Sequence, residues 1–267
     1  MSGRTRGGGA LPGVMGGVAA LAVGLLVVPL VGLLLRAPWA ALGGLLGAPA
    51  VRAALRLSLV CSLSALGLAT VLGVPLAWVL ARLDFPGKRL LRAVCVLPMV
   101  LPPVVGGVAL LFAFGRQGLL GAPLARVTGV TLPFTTAGVV VAEAFVAMPF
   151  LVITLEAGLR AVDRRYEAVA ATLGASRWTV LRRVTLPLAG PSLAAGMALC
   201  WARALGEFGA TITFAGNLPG STQTMPLAVY TALQGPRPEA ALALSLLLLA
   251  VSVTVLVALR GRFLGTP

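Results

Sequence analysis

The sequence predicts an all-α integral membrane protein with six transmembrane helices, a helical hairpin on the cytoplasmic side between the fourth and fifth, and both termini in the cytoplasm. Three observations predict it. Hydrophobic residues make up 59% of the 267-residue chain and charged residues only 10%, and mean hydropathy is +1.02, which marks lipid as the solvent. The apolar residues gather in six runs long enough to cross a bilayer as helix, without the strict alternation of barrel strands. Basic residues are divided unequally between the loops that separate these runs.

The runs cover 14–35, 56–80, 93–114, 135–155, 188–205 and 240–259. Arg4 and Arg6 precede the first run, as they would in a cleaved secretory signal, but the run is too long for a signal's apolar region, so an uncleaved helix is expected. The second run carries Ser58, Ser62 and Ser64 within otherwise apolar sequence. Pro102 and Pro103 interrupt the third and free backbone groups, which a membrane tolerates where they face protein or a wet cavity. The fourth contains Glu143, an intramembrane acid of which a hydrogen-bonded structural or gating role is expected. Pro187 is expected in the first turn of the fifth helix, where its missing N–H costs nothing. The sixth run closes the chain. The expected organisation is a tail at 1–13, a first transmembrane helix at 14–35, a core at 53–260 that includes an inner loop at 160–187, and a tail at 261–267.

With the N-terminus in the cytoplasm, fourteen of the 21 basic residues lie inside: Arg4, Arg6, Arg82, Lys88, Arg89, Arg92, Arg160, Arg164, Arg165, Arg177, Arg182, Arg183, Arg260 and Arg262. Arg36, Arg52, Arg56, Arg116, Arg126 and Arg237 lie outside, and Arg203 falls in a span. This is the inside-positive bias of membrane proteins, so the net charge of +14 requires no nucleic acid. Trp39, Trp78, Trp178 and Trp201 are expected near the two interfaces.

Catalysis is not expected. The chain has no histidine, which removes Ser-His chemistry and the commonest metal ligand. Its sole lysine, Lys88, lacks the glycine upstream and the Ser/Thr downstream of a phosphate-cradling loop, so the chain does not hydrolyse ATP itself. Asp84 and Asp163 fall in loops rather than mid-span, against an intramembrane aspartyl protease. Cys61, Cys95 and Cys200 sit in apolar runs as small hydrophobes, with neither metal nor disulfide spacing.

The segment Tyr166-Glu167-Ala168-Val169-Ala170-Ala171-Thr172-Leu173-Gly174 is rich in helix formers, with Glu167, Ala170, Ala171 and Gly174 along one side. Small side chains there let another protein's backbone approach. Gly174 suits a left-handed helix end, and Ser176 can cap a second helix over 177–184. An amphipathic loop lying on lipid is equally consistent with this spacing. The segment resembles the signature loop of bacterial ABC importer permeases: Glu-Ala-Ala, three residues, Gly, nine residues, an aliphatic residue, one residue, Leu-Pro. Gly174, Val184, Leu186 and Pro187 match to the residue; Ala168 stands at the glutamate position, Val169 at the first alanine, and Glu167 one place early.

Further stretches are similar to molybdate permeases: 207–217, opening Glu207-Phe208-Gly209-Ala210-Thr211; 223–230, from Gln223 to Tyr230; 97–107, Leu97 to Gly107; and 132–138, Leu132 to Gly138. The resemblance covers most of the chain after Arg52, and sulfate permeases share similar glycine-rich stretches.

That resemblance implies a multi-pass cytoplasmic-membrane permease, a homodimer with ABC ATPase subunits and an extracytoplasmic molybdate-binding protein. No cofactor is expected on this chain, since ATP and Mg would be held by the ATPase. It further implies that the loop docks on the ATPase, with Glu167, Ala168, Ala170, Ala171, Leu173, Gly174, Leu186 and Pro187 as coupling residues. Candidate path or gate residues are Arg203, Gly206, Glu207, Phe208, Gly209, Thr211, Thr213, Pro102 and Pro103, with Ser58, Ser62 and Ser64 as further donors. Arg203 and Glu207, one helical turn apart, can lock a helix by mutual neutralisation or let Arg203 touch the anion transiently. Gly206, Phe208 and Gly209 can likewise be simple packing. Moving a dianion into a negative interior costs about 2.3 kcal/mol per charge per 100 mV, so import needs an energy source. Sulfate or tungstate import remains the neighbouring alternative. A self-sufficient secondary transporter, which would lack the docking loop, and a non-transporting scaffold, for which mid-span charges are needless, are the others.

Overall fold

The computed structural model describes residues 13–236 and 238–263, and among them the only regular structure is helical. Arg4, Arg6, Arg237 and nearly all of the two expected tails lie outside the described residues. Helix α1 (Gly13–Leu35) is apolar all round and leaves its side chains uncovered by the rest of the chain, as lipid would allow. A short α2 (Leu42–Gly47) leads into α3 (Pro49–Arg82), which opens on Pro49. At 34 residues, α3 runs about 50 Å, beyond the roughly 30 Å hydrocarbon layer, so one end reaches water.

Helices α4 (Lys88–Val100) and α5 (Pro103–Phe114) meet at a bend of 119°. The cause is local: Leu101 precedes a proline and is extended at ψ 134°, and Pro102 and Pro103 supply no N–H to continue the ladder. After α6 (Gly121–Thr128), Thr135 caps α7 (Thr136–Ala161) by accepting from the Gly138 N–H at 3.0 Å. Then come α8 (Arg164–Thr172), α9 (Arg177–Val180), a π-turn over Leu181–Thr185, α10 (Leu186–Leu188) and α11 (Gly190–Leu205). The chain ends with α12 (Gly209–Phe214), α13 (Met225–Gln234) and α14 (Pro238–Phe263).

The bundle is built on α3, α7 and α11. Small residues of α3 at helical spacing, Ala65, Ala69, Gly73 and Ala77, are buried and let α7 approach closely. A β-carbon on Gly73 would come within 3.2 Å of Val152. Val139, Ala147, Leu151 and Leu155 of α7 are wholly buried between its neighbours. Trp201 is half-buried in this bundle, its indole N–H donating to the Ser62 hydroxyl at 2.9 Å.

Two expected spans are not single helices. Among the described residues, three helices are long and apolar enough to cross a membrane, within α1, α3 and α7, or up to five if each bent pair counts as one span. The second bend, 73° between 177–188 and 190–205, falls at Ala189, just before Gly190-Pro191. The fifth run is thus broken after Pro187 rather than opened by it. The sixth run lies in α14, whose 26 residues are enough for one crossing.

Candidate functional site

Residues 163–188 form a helical hairpin. Asp163 caps α8 by accepting from the Arg165 N–H at 2.9 Å. At the other end the Ala175 N–H donates to the Ala170 carbonyl at 3.1 Å and the Gly174 N–H to Ala171 at 3.0 Å, the paired bonds of a Schellman ending. Gly174 takes φ +83°, a conformation that strains any residue with a β-carbon. Ser176 then caps α9, accepting from Thr179 at 3.2 Å. The π-turn comes at once after it, so the second arm is wider than an α-helix over Leu181–Thr185.

The hairpin's two sides differ. Tyr166, Val169, Leu173 and Trp178 are 60, 59, 82 and 68% exposed and make an apolar outer row. Ala168, Ala171 and Gly174 are also exposed, while Ala170 is half-buried. Glu167 turns inward: its Oε1 accepts from Arg82 Nη2 at 2.7 Å and from the Thr185 hydroxyl at 2.9 Å. Leu186 is half-buried and Pro187 exposed at the base. Arg92 and Arg160 both pair with the buried Glu156 nearby. Lys88 donates to Asp84 at 2.8 Å, and this bond with the ammonium charge holds the Asp84 carboxyl below its ordinary range.

Away from the hairpin, α5, the second half of the broken third run, packs against the short α12. Gly107 of α5 and Gly209 of α12 allow backbone contact: a β-carbon on Gly107 would lie 2.6 Å from Thr213 Cβ, and one on Gly209 2.8 Å from Pro103 Cβ. Pro103, Gly209 and Thr213, predicted from separate stretches, are therefore brought together. Glu207 stands beyond the end of α11, not on it. It nonetheless pairs with Arg203, and its Oε1 accepts the Ala210 N–H at 2.8 Å, holding the start of α12. With the Arg203 guanidinium on a wholly buried carboxylate, the geometry is that of a lock. Gly206 is the C-cap of α11, and the Phe208 ring lies 5.0 Å from that of Tyr230.

Two of the five candidate hydroxyl donors are taken by the protein, Thr213 and Ser62, the latter donating to the Leu59 carbonyl at 3.4 Å. Ser58 accepts from the Met225 N–H at 2.7 Å, and Thr213 donates to the Gly209 carbonyl at 2.8 Å. Ser64 is exposed, and Thr211 is buried with its hydroxyl unpartnered among the described residues. Glu143 is buried, but its Oε2 has no partner there either, contrary to the expected hydrogen bond.

The sequence model of the family described as "Binding-protein-dependent transport system inner membrane component" matches residues 73–263, which include the hairpin and both broken helices. The chain belongs to this family. Among members of the binding-protein-dependent transport family, the chain is 50% identical over 202 residues to "Molybdenum transport system permease protein ModB" of Mycobacterium tuberculosis, covering 76% of each chain. It is 38% identical over 213 residues to "Sulfate transport system permease protein CysT" of Escherichia coli, covering 79% of this chain and 76% of that one. Its fold matches a bacterial ABC transporter involved in the import of the acidic polysaccharide alginate, at TM-score 0.71 and 18% identity over 91% of each chain.

Sequence reasoning placed the hairpin and named Leu173, but missed Tyr166, Val169 and Trp178 beside it in the outer row. Tyr166, Val169 and Leu173 recur at helical spacing among polar and small residues, a signal that was present. Arg82 and Thr185 carried none: the ion pair spans 85 positions.

Proposed function

We propose that the chain is the membrane-spanning permease subunit of an importer that moves molybdate inward across the cytoplasmic membrane, driven by ATP hydrolysed on separate subunits. The observation that carries this reading is the hairpin with its exposed apolar row, on a chain 50% identical to a molybdenum transport permease over 76% of its length. Tyr166, Val169, Leu173 and Trp178, with Ala171 and Gly174 at the tip, are the contact for the ATPase. Such a row in water is costly unless a partner covers it. ATP and Mg belong to that partner. A loaded binding protein delivers the anion on the opposite side, where a pocket of about 470 Å³ is lined by Arg116, Gln117, Arg126 and Thr131.

In this reading six membrane segments, the third and fifth of them broken, place both termini and the hairpin in the cytoplasm. Two copies face each other around the path. Phe208, held against Tyr230 beside the meeting of α5 and α12, is the gate, with Gly209 packed closely on Pro103 beside it and Pro102 and Gly206 giving the backbone room to move. Arg203 and Glu207 lock the end of α11 rather than bind the anion. The energetic demand fits: a dianion moving into a negative interior climbs about 2.3 kcal/mol per charge per 100 mV, so coupling to hydrolysis is required.

Reconstitution with the ATPase and the binding protein in liposomes tests this. Molybdate uptake should require ATP on the hairpin side and the binding protein on the other. Uptake by the purified chain alone under an ion gradient would contradict it, and uptake of sulfate in preference to molybdate would move the substrate to the sulfate class.

A further inference from the structure

We infer that Glu167 is a positioning residue, the pivot about which the hairpin turns when the ATPase pulls on it, and not a contact to the ATPase. This rests on the importer reading above. A single carboxylate oxygen ties three segments together: Arg82 at the end of α3 at 2.7 Å, α8 through Glu167 itself, and Thr185 at 2.9 Å in the π-turn that feeds α10 and the bent α11. The anchor is built for load. The Arg82 side chain is 6% exposed and also reaches the Val162 carbonyl at 3.5 Å, and Thr185 is buried.

Beside this tether the packing is open. A cavity of about 200 Å³ lies between Trp78 of α3 and the hairpin, bounded by Glu167, Ala171, Ala175, Val180 and Leu181. Side chains facing a void lack packed neighbours on that side, so the tip can move toward α3 without forcing atoms together. One end is fixed and the other has room. Force on Leu173 and Gly174 therefore turns α8 about Glu167 and passes through Thr185 into the π-turn. From there it reaches α11, which ends at Gly206 beside Phe208. A tether on a π-turn suits this role, because such turns within helices are rare and frequently mark functional sites.

The test uses the complete transporter in proteoliposomes. ATP hydrolysed per anion imported is measured for Glu167→Gln, Arg82→Gln, and the exchange of charges in Arg82→Glu with Glu167→Arg. The pivot predicts normal co-purification of the ATPase, a ratio raised at least about tenfold in each single variant, within the usual range of coupling effects, and recovery toward the original ratio in the exchange. Ala175→Leu, which fills the cavity and leaves the ion pair alone, should also raise the ratio. An unchanged ratio in Glu167→Gln, or loss of the ATPase from Glu167→Gln but not from Arg82→Gln, would overturn the pivot and return Glu167 to the partner interface.

A readout that does not depend on the anion separates this from the importer reading. Cys61, Cys95 and Cys200 are all buried, so a spin label on Leu173→Cys reports the tip alone. In the assembled complex the pivot predicts a label position that changes with ATP, and a broader distribution of positions once Glu167→Gln is added. Failure to import molybdate with this behaviour intact would sink only the substrate. An ATP-insensitive tip would sink the pivot.

Discussion

Gly107 has no room for a methyl group, since its β-carbon would meet Thr213 at 2.6 Å and the Ala210 carbonyl oxygen at 2.9 Å. Gly107→Ala is expected to destabilise the protein by about 1–3 kcal/mol, the usual cost of overpacking, seen as a lower unfolding temperature in detergent. Gly174 is the opposite case: nothing lies within 4 Å of its missing β-carbon, and the constraint is φ +83° alone. Gly174→Val should therefore cost about 1–2 kcal/mol of hairpin stability, while Gly174→Asn, which tolerates the left-handed region, should cost less. Gly174→Asp adds a charge at the docking tip and is expected to weaken co-purification of the ATPase. Trp201→Phe removes the bond to Ser62 and should cost about 1 kcal/mol, measured the same way. The need for glycine at 174 was legible because the cap it makes is local. The need at 107 was not, because its neighbours stand a hundred positions away.

At the scale of elements, the hairpin was read from its caps: Gly174 ends one helix and Ser176 starts the next where their spacing predicts. Its second arm was not. Nothing in Leu181-Arg182-Arg183-Val184-Thr185 announces a π-turn, and the Thr185–Glu167 contact made from it joins residues eighteen positions apart. Pro187 likewise drew the expected helix start to itself, whereas the bend waits for Ala189 and Gly190-Pro191. The Pro102-Pro103 break was legible, because two missing N–H groups leave a helix few ways to continue. The outer row yields a direct prediction: Leu173→Glu, at a site 82% exposed, should leave the fold intact and sharply reduce the ATPase recovered with the permease. Phe208→Ala should raise passive anion leak, and unchanged leak and uptake would remove Phe208 as the gate.

For the molecule as a whole, ion pairing is lopsided. Of the six pairs among the described residues, five cluster at the hairpin end, and only Arg203–Glu207 stands apart. Charges of both signs concentrated at one end of an apolar bundle favour water at that end, and the excess of Arg and Lys there favours the cytoplasm. Composition alone gave the class, and the hairpin pointed to the partner. The way α5 and α12 interlock at Gly107 and Gly209 needed coordinates, because close approach is a property of pairs and not of either stretch. The most direct test of the whole account is the side on which the hairpin lies. With the three native cysteines buried, Leu173→Cys in intact cells expressing the permease without its ATPase should resist a membrane-impermeant maleimide and react fully once the cytoplasmic face is opened. Labelling from the outer face of intact cells would contradict the account.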